Sequence, residues 1–303
     1  MDMKDPFANL DIKDCQLCSK APTGIDSHIV PRFISKTLID VLIGGQHQLR
    51  FTGNPNSIQQ DTLNIPFLCD ECEKTLNKYE TLFAPRYKKY LENDPYDLEI
   101  DEQTYRLLVS ISWRTARLLL LTQPPKQAES LMAPEKAWRE YLLKETEDVG
   151  PFHQYLFSAR DFKETEIYAS KRLSRTHLNT LIGTGVNGFY GETQTKQALV
   201  NHLGPLILCG QMRDIEEGSP AEAEQWSNFI VQPGSVIPGL PRNLPPAFVD
   251  GVDAHFEWAL TRIDSMSKAQ KQKQKKRADK HLKNTLAYRL IQEDERIFSS
   301  KEE

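Results

Sequence analysis

The chain has 303 residues, a formal charge of −4 at pH 7, 39% hydrophobic residues and 26% charged ones. That length can bury a sizeable core and has room for two domains, and the balance is that of a soluble globular protein. It argues against a membrane-spanning chain, because the longest apolar run, "RLLLLT", is far short of the ~20 residues a spanning helix needs, and against a protein with an overall basic footprint for nucleic acid.

Residues 1 to 14, "MDMKDPFANLDIKD", are acidic and have no apolar centre, so the expectation is no signal peptide and a cytoplasmic location. Two Cys-x-x-Cys pairs follow, Cys15 with Cys18 and Cys69 with Cys72, which use four of the five cysteines. In a reducing compartment that arrangement favours metal over disulfides. Each pair offers two corners of a tetrahedral zinc site, and four thiolates close the coordination sphere, so the Zn²⁺ they imply is structural. Fifty residues separate the pairs, and a folded insertion must lie between them.

Within the insertion, "PRFISKTLIDVL" spaces Phe33, Ile34, Leu38, Val41 and Leu42 as a helix does, while "APTG", "IGG", "TGNPNS" and "NIP" are turn signals. Leu76, Tyr79 and Phe83 form one helical stripe after the second pair. Residues 1–95 read as a compact, loop-rich module with short strands.

From residue 96 the pattern changes. Residues 97 to 122 and 133 to 147 read as substantial helices, with Pro124 and Pro125 ending the first. "GPLILCG" and "NFIVQPG" read as buried strands, and Cys209 in the former as a core thiol. Residues 96–250 are therefore expected to be a mixed α+β domain, closing on the proline-rich connector "QPGSVIPGLPRNLPPAF". Residues 251–303 read as a helical, lysine-rich tail, in which residues 268 to 283 carry eight Lys or Arg against one Asp. The fold class is α+β, and no internal repeat is visible.

The order of small motifs carries more. A Cys pair is followed by Ser27-His28-Ile29-Val30-Pro31, by Gly44-Gly45, by Asn64, and by "LCDEC". This resembles the HNH endonuclease family, and "SHIVPRF", "LCDECE", "YETLF" and "SISWR" are similar to a poorly characterised bacterial group within it. The motif-bearing likeness covers residues 13 to 90. It implies a ββα-metal, treble-clef finger stapled by zinc knuckles. His28 matches the motif's first His and Asn64 its Asn. The last His is absent, and Glu73 stands directly after Cys72.

The resemblance implies a hydrolase that cuts phosphodiester bonds in nucleic acid, most simply DNA, and such bacterial nucleases often serve in antiviral defence. Neutral His28 would take a proton from the attacking water, a role suited to a pKa near 6.5. Mg²⁺ or Mn²⁺ would be held by Glu73, with Asn77 or Asp61, since hard cations prefer oxygen. Asn64 would orient the His-bearing segment. Glu73, Asn77 and Glu80 share one face of the expected helix.

Contacts to nucleic acid are read at Arg86, Lys88 and Lys89, interleaved with Tyr87 and Tyr90, and at Lys275, Lys276 and Arg277 in the tail. The first 95 residues carry 11 basic against 13 acidic side chains, so the finger alone should bind DNA weakly. An activating protein or small-molecule partner, and an oligomer, are compatible with the second domain. The alternative is a non-catalytic zinc-finger binding or scaffold protein, which the missing His and the acidic balance favour.

Overall fold

Two three-residue strands and a long helix frame the N-terminal part. The computed structural model describes residues 10–24, 26–43, 49–51, 54–59, 62–93, 95–122, 125–164, 185–192, 196–214, 219–281, 285 and 288. Strand β1 (Asp26–His28) leads through Pro31 into α1 (Arg32–Ile43). A hairpin of β2 (Leu49–Phe51) and β3 (Asn54–Gln59) follows, and β4 (Asn64–Pro66) returns antiparallel to β1. Helix α2 (Asp70–Glu92) begins immediately after Cys69, with Asp70, Glu71 and Glu73 in its first turn, where the helix dipole favours negative charge. The expected stripe holds: Leu76, Tyr79 and Phe83 are buried, and the stripe extends to Tyr87 and Tyr90. Phe33 of α1 meets Phe83 and Tyr87 edge-on, at ring separations of 6.0 and 5.9 Å.

Strand β5 (Leu98–Ile100) occupies the start of what reads as one long helical stretch, and α3 (Glu102–Thr122) follows it. Asp101 caps α3, its carboxylate accepting the Thr104 backbone N–H at 2.8 Å. Thirteen residues of α3 are buried, including Ser110, Ser112, Arg114 and Thr115. A helix buried all round lies inside a protein, and α3 does so, packed between α2 and a β-sheet. One proline of the Pro-Pro pair in the sequence also starts a helix. Pro125 opens α4 (Pro125–Leu142), where its missing N–H costs nothing, so this helix begins earlier than its apolar pattern suggests.

The sheet has five strands: β6 (Gln154–Ser158), β7 (Val186–Glu192), β8 (Lys196–Leu203), β9 (Leu206–Asp214) and β10 (Ile230–Val231). They run in the order β10-β6-β9-β8-β7, every neighbour antiparallel. Along β9 the side chains alternate between two cores. Leu206, Leu208 and Met212 join the core of α3 and α4, while Ile207 and Cys209 join Phe157, Trp226, Phe229 and Phe248 on the opposite face. Burial on both faces explains why "LILC" is apolar without interruption. Trp226 comes from α5 (Pro220–Ser227) and Phe248 from α6 (Pro246–Asp264), so helices cover both faces of the sheet. The buried Cys209 thiol is pushed up in pKa by desolvation alone. Strand β11 (Ser235–Ile237), inside the proline-rich connector, pairs with β5, and α7 (Lys268–His281) follows α6. Among the described residues no helix is long and apolar enough to cross a membrane. The chain is a mixed α+β protein.

One continuous apolar cluster runs from Cys15, Phe67 and Leu76 through Trp113 to Leu208. Polar ties cross the same boundary. The Tyr87 hydroxyl donates to the Leu203 carbonyl at 2.7 Å, Tyr90 and Ser158 hydroxyls meet at 2.6 Å, and Arg117 donates to Gln16 at 2.9 Å. The β8–β9 turn needs Gly204 there: its φ of +65° disfavours any side chain, and a Cβ would press on Leu38 and Tyr87. The change of character near residue 95 is thus a change of architecture within a shared core.

Candidate functional site

The two cysteine pairs meet. All four Sγ atoms lie within 4.8 Å of one another, and those of Cys18 and Cys69 are 3.8 Å apart. Sulfurs at tetrahedral corners ~2.3 Å from a zinc ion would be about 3.8 Å apart, so the spacing suits such a centre. Local backbone builds the first pair: Ser19, at a φ of +54°, donates to the Cys15 carbonyl at 2.9 Å, and the Lys20 N–H reaches Cys18 Sγ at 3.5 Å. The second pair sits at the start of α2. Gln16 N–H to the Phe67 carbonyl, at 2.9 Å, and Gly24 N–H to that of Leu68, at 2.8 Å, hold the two segments together.

Charge within the cluster points the same way. A hydrogen bond from the Cys72 thiol, aided by backbone N–H groups, outweighs burial and lowers the Cys15 thiol to about 4. The Cys72 thiol is correspondingly raised, chiefly by Cys15, and Cys69 is raised by desolvation. Four thiolates could not share this volume without a cation. The cysteines are positioned to hold a metal ion such as zinc.

Beside this cluster, the β1–β4 register sets His28 directly opposite Asn64, and Ser27 opposite Ile65. Side chains alternate along a strand. Ser27 and Ile65 are buried, His28 is half-buried, and Asn64 is exposed. The Ser27 hydroxyl donates to Glu73 Oε2 at 2.7 Å, tying β1 to the first turn of α2. The sequence signal for this role of Ser27 is its place beside His28 in the "SHI" step. The Ile29 N–H donates to the Leu63 carbonyl at 3.0 Å and continues the ladder.

Other sequence-read candidates fall differently. Asn77 is exposed on α2, one turn beyond Glu73. Asp61 lies outside the described residues. Glu80 does not face a metal site: its carboxylate accepts Arg114 of α3 at 2.9 Å, with the two side chains 15% and 1% exposed. Arg86 is committed as well, at 2.7 Å from Asp101 and 3.2 Å from Thr104. Burial opposes ionisation of Asp101, but hydrogen bonds from Arg86 and Thr104 prevail and hold its pKa below the usual range. Tyr87 and Tyr90 are core residues, so the "APRYKKY" stretch offers no stacking surface. Lys88 is exposed beside Glu92, and Lys89 lies over the Tyr96 ring at 4.9 Å. Lys276 is exposed on α7, and the side chains of Lys275 and Arg277 lie outside the described residues. Among the described residues, the cysteine cluster is the only gathering of three or more His, Cys, Asp or Glu ligand atoms.

The Arg114–Glu80 pair gives a direct stability prediction. Arg114 Nε is buried without a hydrogen-bond partner, so Glu80 is the counter-charge the guanidinium depends on. Glu80→Ala is expected to destabilise the chain by about 3–5 kcal/mol, the cost of stranding a buried charge. Urea unfolding would measure it. Replacing Arg114 by Met in the Glu80→Ala background should recover part of the loss, which a purely local helix effect would not allow.

No family model, curated protein or solved structure matches this chain.

Proposed function

We propose that the chain is a metal-dependent nuclease of HNH type, in which zinc holds the two knuckles of a treble-clef finger and His28 is the general base. The supporting observation is the link from Ser27 to Glu73 beside the His28–Asn64 pair. It ties the strand that carries His28, and through the ladder Asn64, to the helix turn that carries Glu73, next to the cysteine cluster. A backbone-held ladder supplies the rigidity that a positioned base requires.

In this reading the chain's residues do three things. His28 accepts the proton of the attacking water, as a positioned imidazole can. Asn64, across the ladder, orients the His28 segment. Glu73, fixed by Ser27, presents carboxylate oxygen to a cation. A magnesium site typically needs only one or two protein carboxylates, with water and substrate phosphate completing the shell, and Glu73 fits that requirement. Bound Mg²⁺ or Mn²⁺ would neutralise charge developing on the phosphate. A zinc ion held by Cys15, Cys18, Cys69 and Cys72 would have all four positions filled by protein and would serve the fold. DNA is the preferred substrate class, with antiviral defence the biological setting that the resemblance implies, and α7 is a basic helix.

The decisive experiment incubates pure protein with supercoiled plasmid and with single-stranded DNA, under Mg²⁺, Mn²⁺ or no added metal. Nicking or linearisation that requires the divalent ion supports the reading. A second reading, a non-catalytic zinc-finger scaffold, draws on the cysteines being the only ligand cluster among the described residues. It wins if no condition or partner gives cleavage.

A further inference from the structure

The chain has four tryptophans. Trp113, Trp138 and Trp226 are buried, at 0%, 0% and 3% exposure, whereas Trp258 is 45% exposed. Trp258 also belongs to a stack of rings. Phe189 of edge strand β7 lies flat against His255 of α6, with centroids 3.7 Å apart and planes 7° apart. His255 in turn stacks with Trp258, one helical turn further on, at 5.8 Å and 29°. Phe189 and His255 are half-buried, whereas Trp258 is exposed.

Three residues after α6 begins α7, "KAQKQKQKKRADKH", with seven Lys or Arg against one Asp. Its start is defined, because Ser267 accepts the Gln270 N–H at 3.2 Å. Lys268, Lys271, Lys273 and Lys276 are exposed. An apolar helix–helix contact is a poor account of this segment, since Lys, Gln and Arg supply most of it. A flat aromatic face followed by a run of cations is the combination that binds unpaired bases and their phosphates.

We propose that α6 and α7 form a docking surface for single-stranded nucleic acid, on which a base packs against the exposed ring of Trp258 and α7 takes the backbone phosphates. Bases within a duplex have their faces already covered, so single strands should be preferred. His255 is suited to the middle of the stack: desolvation, together with nearby His202, lowers its pKa to about 4, leaving the ring neutral at physiological pH. The surface does not depend on His28 being a base. It deepens the nuclease reading by naming the strandedness of the bound substrate, and it equally suits a binding protein.

The test uses the intact chain, a fluorescently labelled deoxythymidine oligonucleotide and the same strand annealed to its complement, without added divalent cation. Because the other three tryptophans are buried, quenching of tryptophan emission on titration with the unlabelled strand reports Trp258. Quenching is expected with the single strand. Anisotropy of the labelled strand should show Trp258→Ala binding about 5- to 150-fold more weakly, the range for loss of one base–aromatic stack. Trp258→Phe should retain part of that affinity. The triple change Lys271→Gln, Lys273→Gln and Lys276→Gln should weaken binding and flatten its salt dependence. Binding is read without divalent cation and so without cleavage, which separates this surface from the catalytic proposal. Absence of quenching, equal affinity of the parent and Trp258→Ala, or equal affinity for duplex and single strand would overturn the proposal; Trp258→Ala should keep the parent's circular dichroism, since the side chain lies outside the core.

Discussion

Cys69→Ser is expected to lose the bound metal and the cooperative folding of the N-terminal part together. Elemental analysis should fall from about one zinc per chain to none, and thermal unfolding should broaden and shift down. The magnitude follows from linkage. Structural zinc binding contributes roughly 10–16 kcal/mol in small finger modules, comparable to the whole stability of a domain, about 5–15 kcal/mol. Cys15, Leu17, Phe67, Leu68 and Cys69 all belong to the apolar cluster that reaches Trp113 and Leu208. Disorder at the cysteines therefore exposes core against α3, and its effect should spread beyond the knuckles. Cys209→Ser is the control, because that thiol lies in the other core and should leave zinc content unchanged. Acidification should mimic Cys69→Ser, since thiolate ligands must be deprotonated and protons compete with the metal. A well-folded, zinc-free chain with a Cys15–Cys18 disulfide would end the metal reading.

His28→Ala is expected to abolish cleavage, with a loss of at least the roughly 10²–10⁴-fold that a positioned base contributes, while fold and zinc survive. They should survive because backbone pairing of β1 with β4 and the half-buried Ser27–Glu73 bond hold the segment, not the imidazole. Glu73→Gln is the sharper companion. The glutamine carbonyl can still accept the Ser27 hydroxyl, so geometry is kept while the negative charge is lost. Activity should drop through weaker cation binding, with a raised metal requirement that excess Mn²⁺ partly offsets. Ser27→Ala should act in the same direction by freeing the Glu73 carboxylate from its anchor. Parent-like cleavage by both His28→Ala and Glu73→Gln would place the active site elsewhere on the chain.

The features legible in the sequence are those whose physics is local. Two Cys-x-x-Cys spacings announce a metal cluster because a knuckle places two sulfurs through its own backbone turn. Leu76, Tyr79 and Phe83 mark the buried face of α2 because helical period alone brings them together. The "LILC" run marks a strand because a segment covered on both faces is apolar at every position. What tertiary structure decided are pairings between distant segments, which no short-range pattern encodes. Glu80 has the helical spacing of a third ligand after Glu73 and Asn77, yet it answers Arg114, 34 residues away. Tyr87 and Tyr90 alternate with cations as a nucleic-acid contact would, yet their hydroxyls serve Leu203 and Ser158 across the shared core. The Ser27–Glu73 bond and the Phe189–His255–Trp258 stack likewise join strand to helix across 46 and 66 or more positions of chain. A charged or aromatic side chain looks the same in sequence whether it meets water, a metal or a buried counter-charge; the packing of elements brought together by the core decides which.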